Sequence, residues 1–383
     1  MPNIYQRLLF PLAARLDAER VHDLTVTFLA QLSRSPAACA LLARLLARPA
    51  PSLAVERLGL RFRSPLGLAA GFDKNAVAVP ALGALGFGHL EVGTVTPRPQ
   101  PGNPRPRVFR LPADEALVNA MGFPSRGAAA VAANLRRWQP RRTGSELVHV
   151  PLAANLGKNK DTPLARAWED YASGLAALYP YADYFVVNIS SPNTAGLRDL
   201  HAAALLEELG AALAERRAAL AGPAGRVKPL LLKLSPDLTP QQRASTLAAA
   251  REGPWAGLVV GNTTVRRAGL HTSRPDLPGG VSGRPLFART LTWIAELRRE
   301  LPPGWMLIAV GGVFDADGVW QLLLAGADLV QAYTGFVYRG PLFAARVNAD
   351  LAERVAALGA PSLDAALREA RAVAGARALV AVS

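Results

Sequence analysis

Cysteine is almost missing from this 383-residue chain, where Cys39 stands alone. One thiol can form neither a disulfide framework nor a cysteine-rich metal site, and it suits a reducing compartment. Lysine is scarce as well: five of the 43 basic residues are lysine (Lys74, Lys158, Lys160, Lys228 and Lys233), and the rest are arginine. The histidines His22, His89, His149, His201 and His271 are dispersed. No group of them, and no carboxylate cluster, has metal-ligand spacing, so no metal is expected. A Ser-His-Asp arrangement is not visible. No apolar run approaches the ~20 residues that cross a bilayer, and no uninterrupted signal-peptide core precedes a cleavage site.

What the chain does have is a large apolar content, 50% of residues, with only 19% charged. That excludes wholesale disorder and suits one large barrel with attachments, or two domains. The net charge of +14 comes from arginines scattered over helices and loops. They form no stripe of the kind that binds nucleic acid. An anionic membrane surface is the partner this charge fits, and a general preference for Arg over Lys explains it equally well.

Residues 1–47 read as short helices, with Leu8, Leu9, Leu12 and Leu16, then Leu24, Phe28 and Leu32, at helical spacing. Asp17 and Ser35-Pro36 look like helix starts. The segment is either a helical cap on the main domain or an amphipathic platform resting on a membrane. Residues 48–52 break the pattern as a linker.

From residue 53 to 361 strand-like and helical segments alternate. Strands are expected near 66–70, 88–95, 148–155, 183–189, 229–234, 257–262, 306–312 and 327–333, each followed by a helix. Eight such units are the count for a (β/α)8 TIM barrel. A doubly wound sheet is the rival, but no GxGxxG opens a helix, which counts against a dinucleotide fold. Residues 96–124, rich in proline, read as an excursion with a small extended segment above the barrel mouth. Residues 362–383 read as an Ala-rich helical tail.

Polar groups stand at every expected strand end, the end where this fold places its ligands. They include Lys74, Thr94, Asn155, Lys233, Asn262, Gly312 and Thr334. The run Val186-Val187-Asn188-Ile189-Ser190-Ser191-Pro192-Asn193-Thr194 begins as a buried strand and ends in amides and hydroxyls. Such groups suit a large, flat, polar ligand. Gly279-Gly280-Val281-Ser282-Gly283 and Gly311-Gly312 read as glycine-rich loops able to cradle a phosphate. Lys233, in a buried strand, needs an anion beside it, and a reduced flavin would supply one.

The chain resembles the class 2, quinone-dependent dihydroorotate dehydrogenases. The shared runs include Leu68-Ala69-Ala70-Gly71-Phe72-Asp73-Lys74-Asn75, Asn119-Ala120-Met121-Gly122-Phe123, Asn155-Leu156-Gly157-Lys158-Asn159-Lys160 and Val187 through Leu197. Leu232-Lys233-Leu234-Ser235-Pro236-Asp237, Gly261-Asn262-Thr263-Thr264 and Tyr333-Thr334-Gly335 continue it. The resemblance implies an FMN-binding barrel that oxidises dihydroorotate to orotate in pyrimidine synthesis and hands the electrons to ubiquinone or menaquinone. It places Ala70, Gly71, Phe72, Asp73, Lys74, Thr94, Asn155, Asn188, Lys233, Gly261, Gly283, Gly312, Tyr333 and Thr334 at FMN. It places Lys74, Asn119, Ala120, Met121, Gly122, Phe123, Asn188, Asn193, Asn262 and Thr263 at dihydroorotate, with Ser191 as the catalytic base. It makes the N-terminal helices the quinone entry, with His22, Arg110 and Tyr333 beside it. The protein is then expected as a monomer lying peripherally on the cytoplasmic side of the inner membrane.

Two departures from the family pattern are visible. Gly261 stands where relatives often carry Thr, and Pro124 follows Gly122-Phe123 where Asn is common. Ser is a weak base alone, so Ser191 needs help from a water chain or a neighbouring hydroxyl such as Thr194. Soluble class 1 relatives use a Cys base, which Cys39, far off in the N-terminal helices, cannot be. Two other readings stand beside this one: a different FMN barrel oxidoreductase such as a hydroxy-acid oxidase, and a membrane-associated barrel that only binds its ligand.

Overall fold

Short, largely apolar runs that are buried on both faces pair most readily with parallel neighbours covered by helices. Eight such runs do so here. The structure is a computed structural model that describes residues 4–47, 50–143, 150–194, 196–223, 225–272 and 276–380. The strands are β1 (Leu66–Leu68), β2 (His89–Val95), β3 (Leu152–Leu156), β4 (Tyr184–Asn188), β5 (Leu230–Leu234), β6 (Gly257–Val260), β7 (Met306–Val310) and β8 (Leu329–Ala332). They close into a parallel barrel in chain order, β8 pairing back onto β1. This is the (β/α)8 barrel expected from the sequence. Arg48 and Pro49 of the expected linker, His149, Ala195, and residues 1–3 and 381–383 lie outside the described residues.

Element ends differ from expectation where a side chain or a glycine intervenes. The first barrel helix does not follow β1 directly and runs only over Val79–Ala84. Asp73 accepts from the backbone N–H groups of Val77 at 2.9 Å and Ala78 at 2.8 Å, which holds the residues before the helix in a turn. Strand β6 stops at Val260 because Gly261 turns to φ +115°.

Two pieces attach to the barrel. Val108–Leu111 and Ala116–Asn119 form the extended excursion, and Gly280–Gly283 joins them as a third antiparallel strand. Gly280 and Gly283, read as part of a glycine-rich loop, thus lie in a strand. A Cβ on Gly279 would lie 2.0 Å from the Asn119 carbonyl oxygen, and one on Gly280 would lie 2.0 Å from Thr263 Oγ1. Close strand packing, rather than a loop, accounts for those two glycines. At the other end of the barrel, Val55–Arg57 and Leu60–Phe62 form a small hairpin, tied to the C-terminal helix Leu363–Val380 by Arg57–Asp364 at 2.8 Å.

The N-terminal segment comprises a short π-helix at Tyr5–Leu9, then α1 (Phe10–Ala14), α2 (Ala18–Leu32) and α3 (Pro36–Leu46). Asp17 caps α2 by accepting from Arg20 N, and Ser35 caps α3 by accepting from Ala38 N. Ser33 Oγ accepts from Ala81 N at 3.1 Å, tying the end of α2 to the first barrel helix. Tyr5 donates to the Val337 carbonyl, and Phe10 packs on Tyr338. No single described helix is long and apolar enough to cross a membrane, and α2 and α3 are bent by 109° relative to each other.

Candidate active site

Strand β4 ends on Asn188, and the next residues fold back over the mouth. Asn188 Oδ1 accepts from Ser190 N at 3.2 Å and Ser190 Oγ at 2.9 Å, an Asx turn that fixes the first step of the loop. Asn262 Nδ2 donates to the same Ser190 hydroxyl at 2.8 Å. Ser191 Oγ accepts from Asn193 N at 3.2 Å, so its own proton is free to point elsewhere. Asn193 Nδ2 in turn donates to the Asn119 carbonyl and side-chain oxygens at 3.0 and 3.2 Å. Arg198 braces the loop from below, with Nε on the Ser190 carbonyl at 3.3 Å and Nη2 on Asp237 at 3.1 Å. The buried Thr194 hydroxyl has no hydrogen-bond partner among the described residues.

One cavity runs from this loop across the mouth to helix α2. Ser191, Asn119, Asn188, Asn193, Asn262 and Thr263 line its inner part together with Lys74, Met121, Gly122 and Phe123. Ala70, Gly71, Thr94, Lys233, Gly283, Gly312, Tyr333 and Thr334 line the rest, and His22 sits at the helical end. Lys74 Nζ lies 3.4 Å from His22 Nε2. Burial pulls the Lys74 ammonium down to about 8, with Glu19 and Asp23 opposing the shift. His22 is pulled well below its ordinary value by burial and then by the charge of Lys74, so it is neutral at pH 7. Its ring stands edge-on to Phe72, and Phe72 edge-on to Tyr333.

Several residues expected at the cavity stand behind its wall. Asn155 is wholly buried and holds Thr94, Asn188 and Glu91. Asp73 is the backbone cap described above, and Phe72 packs on His22, Tyr333 and Phe336. Ala120 pairs its N–H with the Arg107 carbonyl. Arg110 spends Nη1 on the Leu16 carbonyl at 2.7 Å, bridging the mouth sheet to the turn before α2. At Gly261 a Cβ would lie 2.0 Å from the Val310 carbonyl oxygen, so this backbone leaves no room for a Thr. Pro124 does reach the cavity, beside Phe123 at φ +54°.

The structure also adds residues that local sequence did not single out. Glu91, in the middle of β2, is the anion beside Lys233, at 3.2 Å and with the carboxylate fully buried. Lys233 therefore has a protein counter-charge and does not depend on a ligand for one. Gln331 and Ser282 line the cavity, and Ser282 Oγ lies 2.8 Å from Thr334 Oγ1. Glu19 of α2 forms an ion pair with Arg107 at 2.7 Å. Burial pushes the Glu19 carboxyl up, but Arg107 and Arg105 outweigh it and hold the group below its usual range.

The wall from β7 and β1 is made of small groups, Gly311, Gly312, Ala69, Ala70 and Gly71. A Cβ on Gly312 would come within 2.5 Å of Phe287, so this position of the wall admits no side chain. Small groups, amides, hydroxyls and two lysines lining one cavity suit a polar heterocycle carrying an anionic group.

The sequence model of the family described as dihydroorotate dehydrogenase matches residues 52–355. Among named relatives, the dihydroorotate dehydrogenase (quinone) of Roseiflexus sp. (strain RS-1) is 48% identical over 96% of this chain and 98% of its own. That of a Thermus thermophilus strain is 49% identical over 91% of this chain and 96% of its own. The crystal structure of DHODH from Eimeria tenella in complex with ferulenol superposes with a TM-score of 0.81 at 35% identity, covering 91% of this chain and 96% of that one. With the barrel, the polar mouth and nearly full-length similarity in agreement, this chain belongs to the dihydroorotate dehydrogenase family, and its relatives are the quinone-linked members.

Proposed function

We propose that the protein oxidises dihydroorotate to orotate with FMN as hydride acceptor and a membrane quinone as final electron acceptor, as a step in pyrimidine synthesis. The observation that carries this reading is Ser191 on the wall of one cavity that it shares with the amides of Asn119, Asn188, Asn193 and Asn262 and with Lys74. A cyclic imide with a carboxylate needs paired amide donors and acceptors and one cation. FMN, when bound, would accept the hydride from C6 of the substrate and pass the electrons on to the quinone. Gly71, Thr94, Lys233, Gly283, Gly312 and Thr334 would hold it, with Asn155 acting through Asn188 and Thr94. Ser191 would take the proton from C5, and the unpartnered Thr194 hydroxyl in the same loop would pass it on. Arg198 would keep the loop at the height the substrate requires.

The quinone is assigned to the helical end of the cavity, against His22 and Tyr333, with Arg110 securing the turn beside it. Residues 1–47 would serve as the platform and 53–361 as the catalytic barrel. Of the 13 large hydrophobic residues exposed among the described residues, nine lie in the N-terminal segment before residue 47, including Leu8, Leu12, Leu24 and Phe28. So dense an apolar patch at the mouth of a lipid-soluble substrate's route supports peripheral attachment to an anionic membrane, the inner membrane on its cytoplasmic side. We take the working unit to be a monomer. Purified protein should be yellow and should bleach anaerobically with dihydroorotate, then regain colour on adding a short-chain quinone. A colourless protein that takes up no FMN rules the reading out.

A further inference from the structure

Beneath the cavity one carboxylate decides which way its neighbours point. Glu91 accepts from Asn155 Nδ2 at 2.6 Å and from Gln331 Nε2 at 2.7 Å, and pairs with Lys233 Nζ at 3.2 Å. Glu91 itself does not line the cavity, whereas Lys233 and Gln331 do. An ionised carboxylate can only accept, so both amides must turn their NH2 groups toward it. For Asn155 this leaves Oδ1 to receive Thr94 Oγ1 at 2.6 Å and Asn188 Nδ2 at 3.2 Å. For Gln331 it leaves Oε1, which is buried and has no partner among the described residues. A buried acceptor left unpaired costs ~1–3 kcal/mol, so this oxygen is a place where a ligand donor would be stabilised.

We propose that Glu91 is a positioning residue for the bound flavin: it aims Gln331 Oε1 at the N–H of the pyrimidine ring and offsets the charge that Lys233 presents there. The inference rests on the FMN reading above. A flavin's pyrimidine edge alternates carbonyl acceptors with one N–H donor, and Lys233 beside Gln331 Oε1 supplies the complementary donor and acceptor. Reduction adds negative charge to that edge. An unopposed Lys233 would favour the reduced form strongly, and the Glu91 carboxylate paired with it weakens that preference. In a dry site such a charge counts for far more than at a surface. Glu91 thereby keeps the flavin ready to give its electrons to the quinone.

The test uses full-length, FMN-loaded protein and reads the midpoint potential of the flavin by dye-equilibrated titration. Glu91→Gln should shift the reduction equilibrium toward reduced flavin at least tenfold, about 30 mV for a two-electron couple. Gln331→Leu should keep the Lys233–Glu91 pair, weaken FMN binding at least tenfold and move the potential less. The double variant Glu91→Gln, Gln331→Glu returns a carboxylate to the cluster and should bring the potential back within about threefold of wild type on the same scale. It carries the same readout if Glu91→Gln alone fails to fold. A potential unmoved in folded, flavin-loaded Glu91→Gln, or FMN affinity unmoved in Gln331→Leu, overturns the inference while leaving the FMN reading intact. Wild-type protein that takes up no flavin overturns both.

Discussion

Arg107 and Glu19 form a buried ion pair that fastens the sheet over the barrel mouth to helix α2. Arg107 Nη2 reaches Glu19 Oε1 at 2.7 Å, Nε reaches both carboxylate oxygens at 3.1 Å, and both residues are under 10% exposed. Arg107 Nη1 is held separately by the Pro101 and Asn103 carbonyls at 2.7 Å. Removing the carboxylate leaves a buried guanidinium half paired, and breaking such a pair costs ~3–5 kcal/mol. Glu19→Gln should therefore lower the thermal midpoint by several degrees. The wild-type protein should show the matching pH dependence. Glu19 is depressed in the fold, so its contribution is complete above its unfolded value of ~4.3 and fades as pH falls through the lower folded value. Thermal scans of both proteins between pH 3 and 7 should converge at the acid end. Parallel curves would mean the pair does not stabilise the fold.

Ser191 can be tested without disturbing the cofactor. Its hydroxyl meets only Asn193 N among the described residues. Ser191→Ala should retain FMN and lose 10²–10⁴-fold in the rate of anaerobic flavin reduction by dihydroorotate, the usual effect of removing a positioned base. Ser191→Cys should recover part of the rate as pH rises, since a thiol ionises near 8.5. A stopped-flow rate for Ser191→Ala within about threefold of wild type, against that expected loss, would exclude the role.

The barrel is legible because most of its strands are largely apolar runs, as in Leu230-Leu231-Leu232, and helices follow them along the chain. The caps at Asp17 and Ser35 were equally local signals. What local sequence does not show depends on partners remote in the chain. Glu91 reads as an ordinary alternation in its strand, yet its partners Lys233 and Gln331 lie 142 and 240 residues away. Gly280–Gly283 reads as a loop because glycine has low strand propensity, and only its pairing with Ala116–Asn119 makes it a strand. The hairpin of Val55–Arg57 and Leu60–Phe62 has strands of three residues, too short for a period to show. Asn155 was legible as a polar strand end, but nothing local distinguishes a residue on the cavity wall from one just behind it.

Lys74 predicts an alkaline limb in catalysis. Burial sets its ammonium near 8, so in the free enzyme it loses its charge at a pH where an ordinary lysine would keep it. On the proposed reading, Lys74 supplies that charge to an anionic substrate. The kcat/KM for dihydroorotate should fall as pH rises through about 8, because this ratio reports groups of the free enzyme. Stability should respond with the opposite sign. The unfolded chain binds more protons than the fold between about 8 and the unfolded value of ~10.4, so this group's penalty shrinks over that window. A kcat/KM that stays level from pH 7 to about 9.5, across most of the expected window, would show that Lys74 does not set substrate binding.

The N-terminal helices decide whether the enzyme works at a surface or in solution. Leu8 and Leu12 are each 60% exposed, one turn apart, and Phe28 is 67% exposed. Groups already facing water contribute little to folding, so Leu8→Glu with Leu12→Glu should leave the thermal midpoint nearly unchanged. The same change puts two negative charges where the face would meet an anionic leaflet, which opposes both apolar burial and electrostatic attraction. The double variant should therefore lose sedimentation with anionic liposomes. It should also lose turnover with a long-chain quinone held in the bilayer, because access depends on docking. Turnover with a short-chain, water-soluble quinone should persist, since the cavity residues His22 and Tyr333, proposed to meet the quinone, are untouched. The dihydroorotate half-reaction should be unaffected. Comparing the two quinones separates loss of docking from damage to the site. Equal loss with both would place the defect in the route itself. Unchanged liposome binding in a well-folded variant would make these helices a cap on the barrel and nothing more.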